Sequence, residues 1–205
     1  HSNQKIILLN DQNLADYIRL PEYIEKKKDA GQIPMAGYAD LMRFALLEHY
    51  GGTWIDSTVY LTDPIPDMVL NSDFFAVRNS LLLIDNPVLY PAWFLHAKKG
   101  NKTIREIRNV AFAYWLKNEH VIEYLLPNLI ITLVVKSNPE VEKAIPYMNS
   151  DYSEYLVKVL ADEYSEEKWN WIKKLTGIHK LTYKLETAIN RKDSFYQHII
   201  AEKNK

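Results

Sequence analysis

The chain has 205 residues, 26 acidic against 25 basic side chains and a formal net charge of -1. Hydrophobic residues make up 47% and charged residues 25%, which supports a packed core and excludes wholesale disorder. The balanced charge gives no footprint for nucleic acid and no polybasic anchor for anionic lipid, and the absence of cysteine excludes disulfides, thiolate metal sites and cysteine nucleophiles.

The chain opens His1-Ser2 without an initiator Met, as a processed product or a piece of a longer protein would. Lys5 to Leu9 is a short, partly β-branched apolar run closed by Asn10-Asp11, and it reads as a buried strand ending in a turn. Asn13 to Ile18 reads as a helical turn. A helix follows from Pro21 through the Lys26-Lys27-Lys28 cluster to Gly31, with the lysines complementing its negative end. Asp40 to Tyr50 has helical apolar spacing, with Asp40 as candidate N-cap and Gly51 as a left-handed stop. Thr53 to Leu61 alternates like one strand, placing Trp54, Asp56, Thr58 and Tyr60 on a common face. Phe74 to Val77 is a second strand.

From Pro91 the pattern turns helical. Thr103 and Glu106 form a capping-box pair ahead of Ile107 to Lys117. Further helices are expected at Val121 to Val135, Ser153 to Ala161, Glu166 to Leu175 and Phe195 to Lys203, while Ile178 to Leu185 is ambiguous. Early strands and late helices give the α/β class with a helical C-terminal half. One domain is expected, with residues 1–90 as the α/β part and 91–205 as the helical part.

The unit that can carry chemistry is helix, Gly51-Gly52, strand. Asp40 and Arg43 lie three apart on one helix face, and Asp56 and Thr58 lie two apart on the strand. A tight glycine turn can bring both pairs to one end of a sheet, where open α/β sheets bind ligands. Arg43 can fork onto vicinal oxygens, and carboxylates can accept sugar hydroxyls or hold a hard cation. Asp40 and Arg43 read equally well as a helix cap with its surface ion-pair partner. Asp56, among apolar neighbours, reads otherwise as half of a buried pair. Trp54 serves a core as readily as a ligand stack. His179 and Lys180 form a second candidate cluster that could neutralise phosphate, with a surface basic pair as the alternative.

The stretch Tyr38 to Tyr60, containing Ala39-Asp40-Leu41-Met42-Arg43, Gly51-Gly52 and Trp54-Ile55-Asp56-Ser57-Thr58, resembles the sugar-binding segment of family 32 glycosyltransferases. It looks closest to the branch of capsular polysaccharide synthesis proteins. Leu9 to Ile24 and Gly177 to Lys184 are similar to that branch too, so the resemblance covers most of the chain. It implies a GT-A fold, Rossmann-like, acting on a nucleotide-diphosphate sugar through an Asp-x-Asp pair. Asp56 matches the first aspartate, the Mn2+ or Mg2+ ligand that the resemblance implies, and Thr58 occupies the position of the second. Asp40 and Arg43 match residues that hold sugar or ribose, and Trp54 matches an aromatic beside the nucleotide. The family normally opens with a strand–helix unit that precedes the position where this chain starts, so either that unit is cut away or the nucleotide pocket is built differently.

The function expected is transfer of a sugar, with retention of configuration, to a capsular or cell-surface glycan or a lipid-linked acceptor. The setting expected is cytoplasmic, and Val121 to Val135 reads equally well as a helix for peripheral contact at the inner face of the membrane or as a core helix. The alternatives are a catalytically incomplete glycan-binding scaffold and, more weakly, a metal-dependent phosphohydrolase using Asp40 and Asp56.

Overall fold

The computed structural model describes residues 5–10, 12–80 and 87–203. In chain order the elements are α1 (Leu14–Tyr17), α2 (Glu22–Asp29), α3 (Met35–Tyr50), β1 (Gly52–Ile55), β2 (Val59–Leu61), α4 (Asp67–Leu70), β3 (Phe74–Ala76), β4 (Phe94–Ala97) and α5 (Lys102–Lys117). They continue with α6 (Leu126–Lys136), α7 (Pro139–Ala144), α8 (Ser150–Ser153), α9 (Tyr155–Lys158), α10 (Glu166–Leu175), β5 (Ile178–Lys180), α11 (Glu186–Ile189) and α12 (Phe195–Lys203). The protein is mixed α/β, with small sheets and many helices. Every strand pairing among the described residues is antiparallel. These residues therefore do not themselves form a parallel, doubly wound sheet.

The chain divides into two compact units. One is built from the segment up to Ile55 together with Pro66–Met148, and the other from Asp56–Ile65 together with the segment from Asn149 onward. In the first unit β4 is the central strand, with β1 and β3 on either side. Thr53 faces His96, and Phe75 faces the same residue from the other strand. The core joins Leu41, Phe44 and Leu47 of α3 to Ile104 and Ile107 of α5 and to Ile131 and Val135 of α6. Each repeat follows the three-to-four residue spacing that lines one helix face. In the second unit β2 and β5 pair, and Leu156, Trp169, Ile172, Phe195 and Ile199 form a separate core.

Several expectations are corrected. Lys5 to Leu9 is not a buried strand: Ile6 is 84% and Leu8 78% exposed, and neither belongs to a strand. An apolar run gains a strand's stability only from a paired, covered neighbour, and none among the described residues pairs with this one. Helix α3 begins at Met35, with Pro34 as its N-cap, so Asp40 sits inside the helix and caps nothing. The expected strand from Thr53 to Leu61 is broken at Asp56. The Val59 amide donates to the Asp56 carbonyl at 2.9 Å, closing a turn across Asp56-Ser57-Thr58, and the two halves join different sheets. Short polar side chains favour turns over an extended ladder.

The helical reading after Pro91 missed β4, a fully buried strand. Asn101, not Thr103, caps α5, its side chain accepting from the Ile104 amide at 3.1 Å. Helix α6 starts at Leu126 rather than Val121, because Pro127 lacks an N–H and fits only a first turn. Ser153 to Ala161 is replaced by two single turns, α8 and α9. The helices expected at Glu166–Leu175 and Phe195–Lys203 and the strand near Phe74 are present. The ambiguous run after Gly177 opens as β5.

Candidate functional site

Gly51 ends α3 at φ 71, where an added Cβ would meet the Lys99 amide nitrogen at 2.5 Å. Only glycine accepts both that backbone and that approach. The turn carries the chain from α3 into β1 and sets Trp54 beside the helix. The Arg43 guanidinium carbon lies 5.1 Å from the Trp54 ring centroid, within cation–π range. Its Nη1 lies 3.0 Å from Asp40 Oδ1 and donates to the Ala92 carbonyl at 2.6 Å. The Arg43 side chain is 8% exposed and that of Asp40 17%. Asp40, Arg43 and Trp54 are thus brought together within the first unit. The guanidinium is engaged with the protein itself, so the expectation that Arg43 forks directly onto a ligand is revised. It holds the Asp40 carboxylate and ties α3 to the segment before β4.

The second cluster lies within the other unit. The turn at Asp56 feeds β2, whose register sets Val59 opposite Lys180 on β5. The Leu181 amide donates to the Thr58 carbonyl at 2.8 Å, extending the pairing to the turn. Lys180 Nζ consequently reaches both turn side chains: it donates to Thr58 Oγ1 and lies 3.4 Å from Asp56 Oδ2. The two charged side chains are 23% and 25% exposed, so the group opens to solvent. Asp56 is not buried among hydrocarbon, which removes the desolvation cost foreseen for a mid-strand carboxylate.

A family model described as capsular polysaccharide synthesis protein matches residues 1–199. The chain belongs to that family. Membership places it in capsular polysaccharide synthesis. A search of curated proteins finds no match.

Within this family member, the sequence-selected residues divide as two triads, Asp40–Arg43–Trp54 and Asp56–Thr58–Lys180, with His179 joining neither. His179 is fully buried, its Nε2 is 3.0 Å from Thr62 Oγ1, and its Nδ1 has no hydrogen-bond partner. The Tyr60 and Trp169 rings each lie 6.2 Å away. Burial pushes its pKa down to about 4, against a smaller opposing pull from Asp63. The ring is therefore neutral near neutral pH, and the expected role as a phosphate-neutralising cation is withdrawn. Alternation explains the split: successive strand residues face opposite ways, so His179 and Lys180 cannot serve one surface. That same period was the available signal in the sequence.

Among the described residues no group of three or more His, Asp or Glu side chains gathers as a metal site. No helix among them is long and apolar enough to cross a membrane. Sequence reasoning missed the Glu48–Arg105–Arg108 network. Glu48 is 57 positions from Arg105, and it meets Arg105 and Arg108 only when α3 packs on α5.

Proposed function

We propose that the protein is a glycosyltransferase of GT-A type that moves a sugar from a nucleotide-diphosphate donor to a capsular polysaccharide precursor, with retention of configuration. The observation that carries this reading is the Asp56–Thr58–Lys180 cluster at the end of β2. A partly exposed ammonium held by a carboxylate and a hydroxyl suits a diphosphate, whose oxygens can take over its hydrogen bonds. The GT-A assignment rests on the motif around this turn, since the described sheets are antiparallel.

In the reaction the bond from the sugar's anomeric carbon to phosphate breaks, and the nucleoside diphosphate leaves with the bonding pair. The acceptor oxygen forms the new bond as its hydroxyl proton passes to an oxygen of the departing diphosphate. Lys180 neutralises charge growing on the departing diphosphate, the contribution that preorganised cations make to such steps. Asp56 holds Lys180 in place and accepts a ribose hydroxyl once phosphate draws the ammonium away. Asp40, Arg43 and Trp54 hold one another within the first unit.

The donor set does not fit a resident Mn2+ or Mg2+. Asp56 is a single carboxylate whose charge Lys180 already balances, Thr58 stands where a second carboxylate would be needed, and an ammonium at 3.4 Å opposes a divalent cation. The proposed setting is the cytoplasmic face of the membrane, where lipid-linked acceptors are presented.

The test is transfer or donor hydrolysis across a panel of nucleotide-sugars, with and without a chelator, for the wild type, Asp56→Asn and Lys180→Met. Turnover that survives chelation and drops at least tenfold in both variants is expected. Unaltered turnover in both variants refutes the site.

A further inference from the structure

The connection between α1 and α2 lies against α3 and α5 and leaves an open cleft of about 510 Å3 within the first unit. That volume falls in the range of about 300–1,000 Å3 usual for small-ligand sites. Its lining includes the apolar and aromatic side chains of Tyr17, Leu20 and Phe112. It also includes the charged side chains of Arg19, Glu48 and Arg108. None of these residues belongs to the donor cluster or to the Asp40–Arg43–Trp54 group.

The charge is unbalanced towards cation. Glu48 is the one carboxylate lining the cleft, and two arginines hold it: Arg105 Nε at 2.9 Å from Oε1 and Arg108 Nη1 at 2.9 Å from Oε2. Arg19 is exposed and makes no ion pair among the described residues. Two guanidinium groups, Arg19 and Arg108, therefore line the cleft with a single carboxylate. Arg108 is also incompletely used. Its Nη2 donates to Asn109 Oδ1 at 2.8 Å and its face covers the Phe112 ring at 5.6 Å, yet its Nε is buried with no acceptor. A buried donor left unmet is costly, and a rotation of the Arg108 side chain that turns it to a ligand's oxygen removes that cost.

We propose that this cleft binds an anionic saccharide, a sugar unit bearing a carboxylate or a phosphate. The Tyr17 ring suits the C–H face of a pyranose. Arg19 and Arg108 suit a planar or tetrahedral oxyanion, for which the guanidinium fork is matched in geometry. On the proposed transferase reading, on which this role rests, the cleft holds the growing glycan at a charged residue of its chain.

The experiment titrates the full chain by isothermal calorimetry with four probes: a uronic-acid tetrasaccharide, its carboxyl-reduced neutral counterpart, a hexose 6-phosphate and inorganic phosphate. Arg19→Gln, an exposed substitution, and Arg108→Gln are titrated alongside, with circular dichroism confirming that each is folded. The expected result is binding of the uronate or the sugar phosphate at least tenfold tighter than the neutral saccharide and inorganic phosphate. Arg19→Gln should weaken it severalfold and Arg108→Gln tenfold or more. Which anionic probe binds tells carboxylate from phosphate. Equal binding of charged and neutral saccharides, equal binding of inorganic phosphate, no binding, or full affinity in Arg19→Gln overturns the proposal. A UDP and GDP titration of the wild type separates the two readings. Nucleotide binding without saccharide binding refutes the cleft alone, and saccharide binding without nucleotide binding refutes the transferase reading alone.

Discussion

Replacing His179 tests the packing between β2 and β5 through its pH dependence. The folded ring has its pKa pushed down to about 4 from an ordinary 6.5, chiefly by burial. The unfolded chain binds the proton more readily, so stability rises with pH wherever the two states differ. His179 favours the folded state fully above the unfolded pKa. That advantage is lost as pH falls from about 6.5 towards about 4, below which both states are protonated. With these two values, the loss between about pH 7.5 and about pH 5 comes to about 2 kcal/mol from this residue. His179→Gln keeps a side-chain amide near Thr62 Oγ1 while removing the titration. Urea unfolding at both pH values should show the wild type losing about 2 kcal/mol more than the variant. Equal losses in the two proteins would refute the reasoning.

Asp40→Ala should destabilise the protein by about 2–3 kcal/mol, because it strips a carboxylate from a buried guanidinium. Thermal unfolding should register that as a drop of roughly 4–12 °C for a chain of this size, while Asp40→Asn, which keeps an acceptor, should lose less. Gly177→Ala would set a Cβ 2.5 Å from the Asp63 Cβ. The cost expected from urea midpoints is about 1–3 kcal/mol, with fluorescence of Trp169 reporting any shift of β5.

The helices that were legible had long, periodic apolar faces. Glu166–Leu175 shows its amphipathic pattern, its Ser165 cap and its terminal lysines in local sequence alone. What was hidden depended on partners distant in the chain. β4 is buried on both faces, so it carries no alternation, and four residues are too few to distinguish from a helical segment. The run from Thr53 to Leu61 does alternate, but its period does not reveal that Asp56 opens a turn and that the halves pair with β4 and β5.

The candidate site was legible in the same uneven way. Asp56, Thr58 and Lys180 were all selected from sequence, yet their meeting depends on a pairing 122 positions long. Arg43 was selected for its fork geometry, which the fold turns onto Ala92 and Asp40 instead. The arginine-lined cleft left no local signature, since a glutamate on one helix and arginines on another become a network only through packing.

The most direct measurement is calorimetric titration of UDP and GDP into the wild type, Asp56→Asn and Lys180→Met, each in excess chelator and again in excess Mn2+. Saturable binding that persists in chelator and weakens about tenfold or more in Lys180→Met is the predicted result. Binding that appears only with Mn2+, or that Lys180→Met leaves intact, would contradict the account.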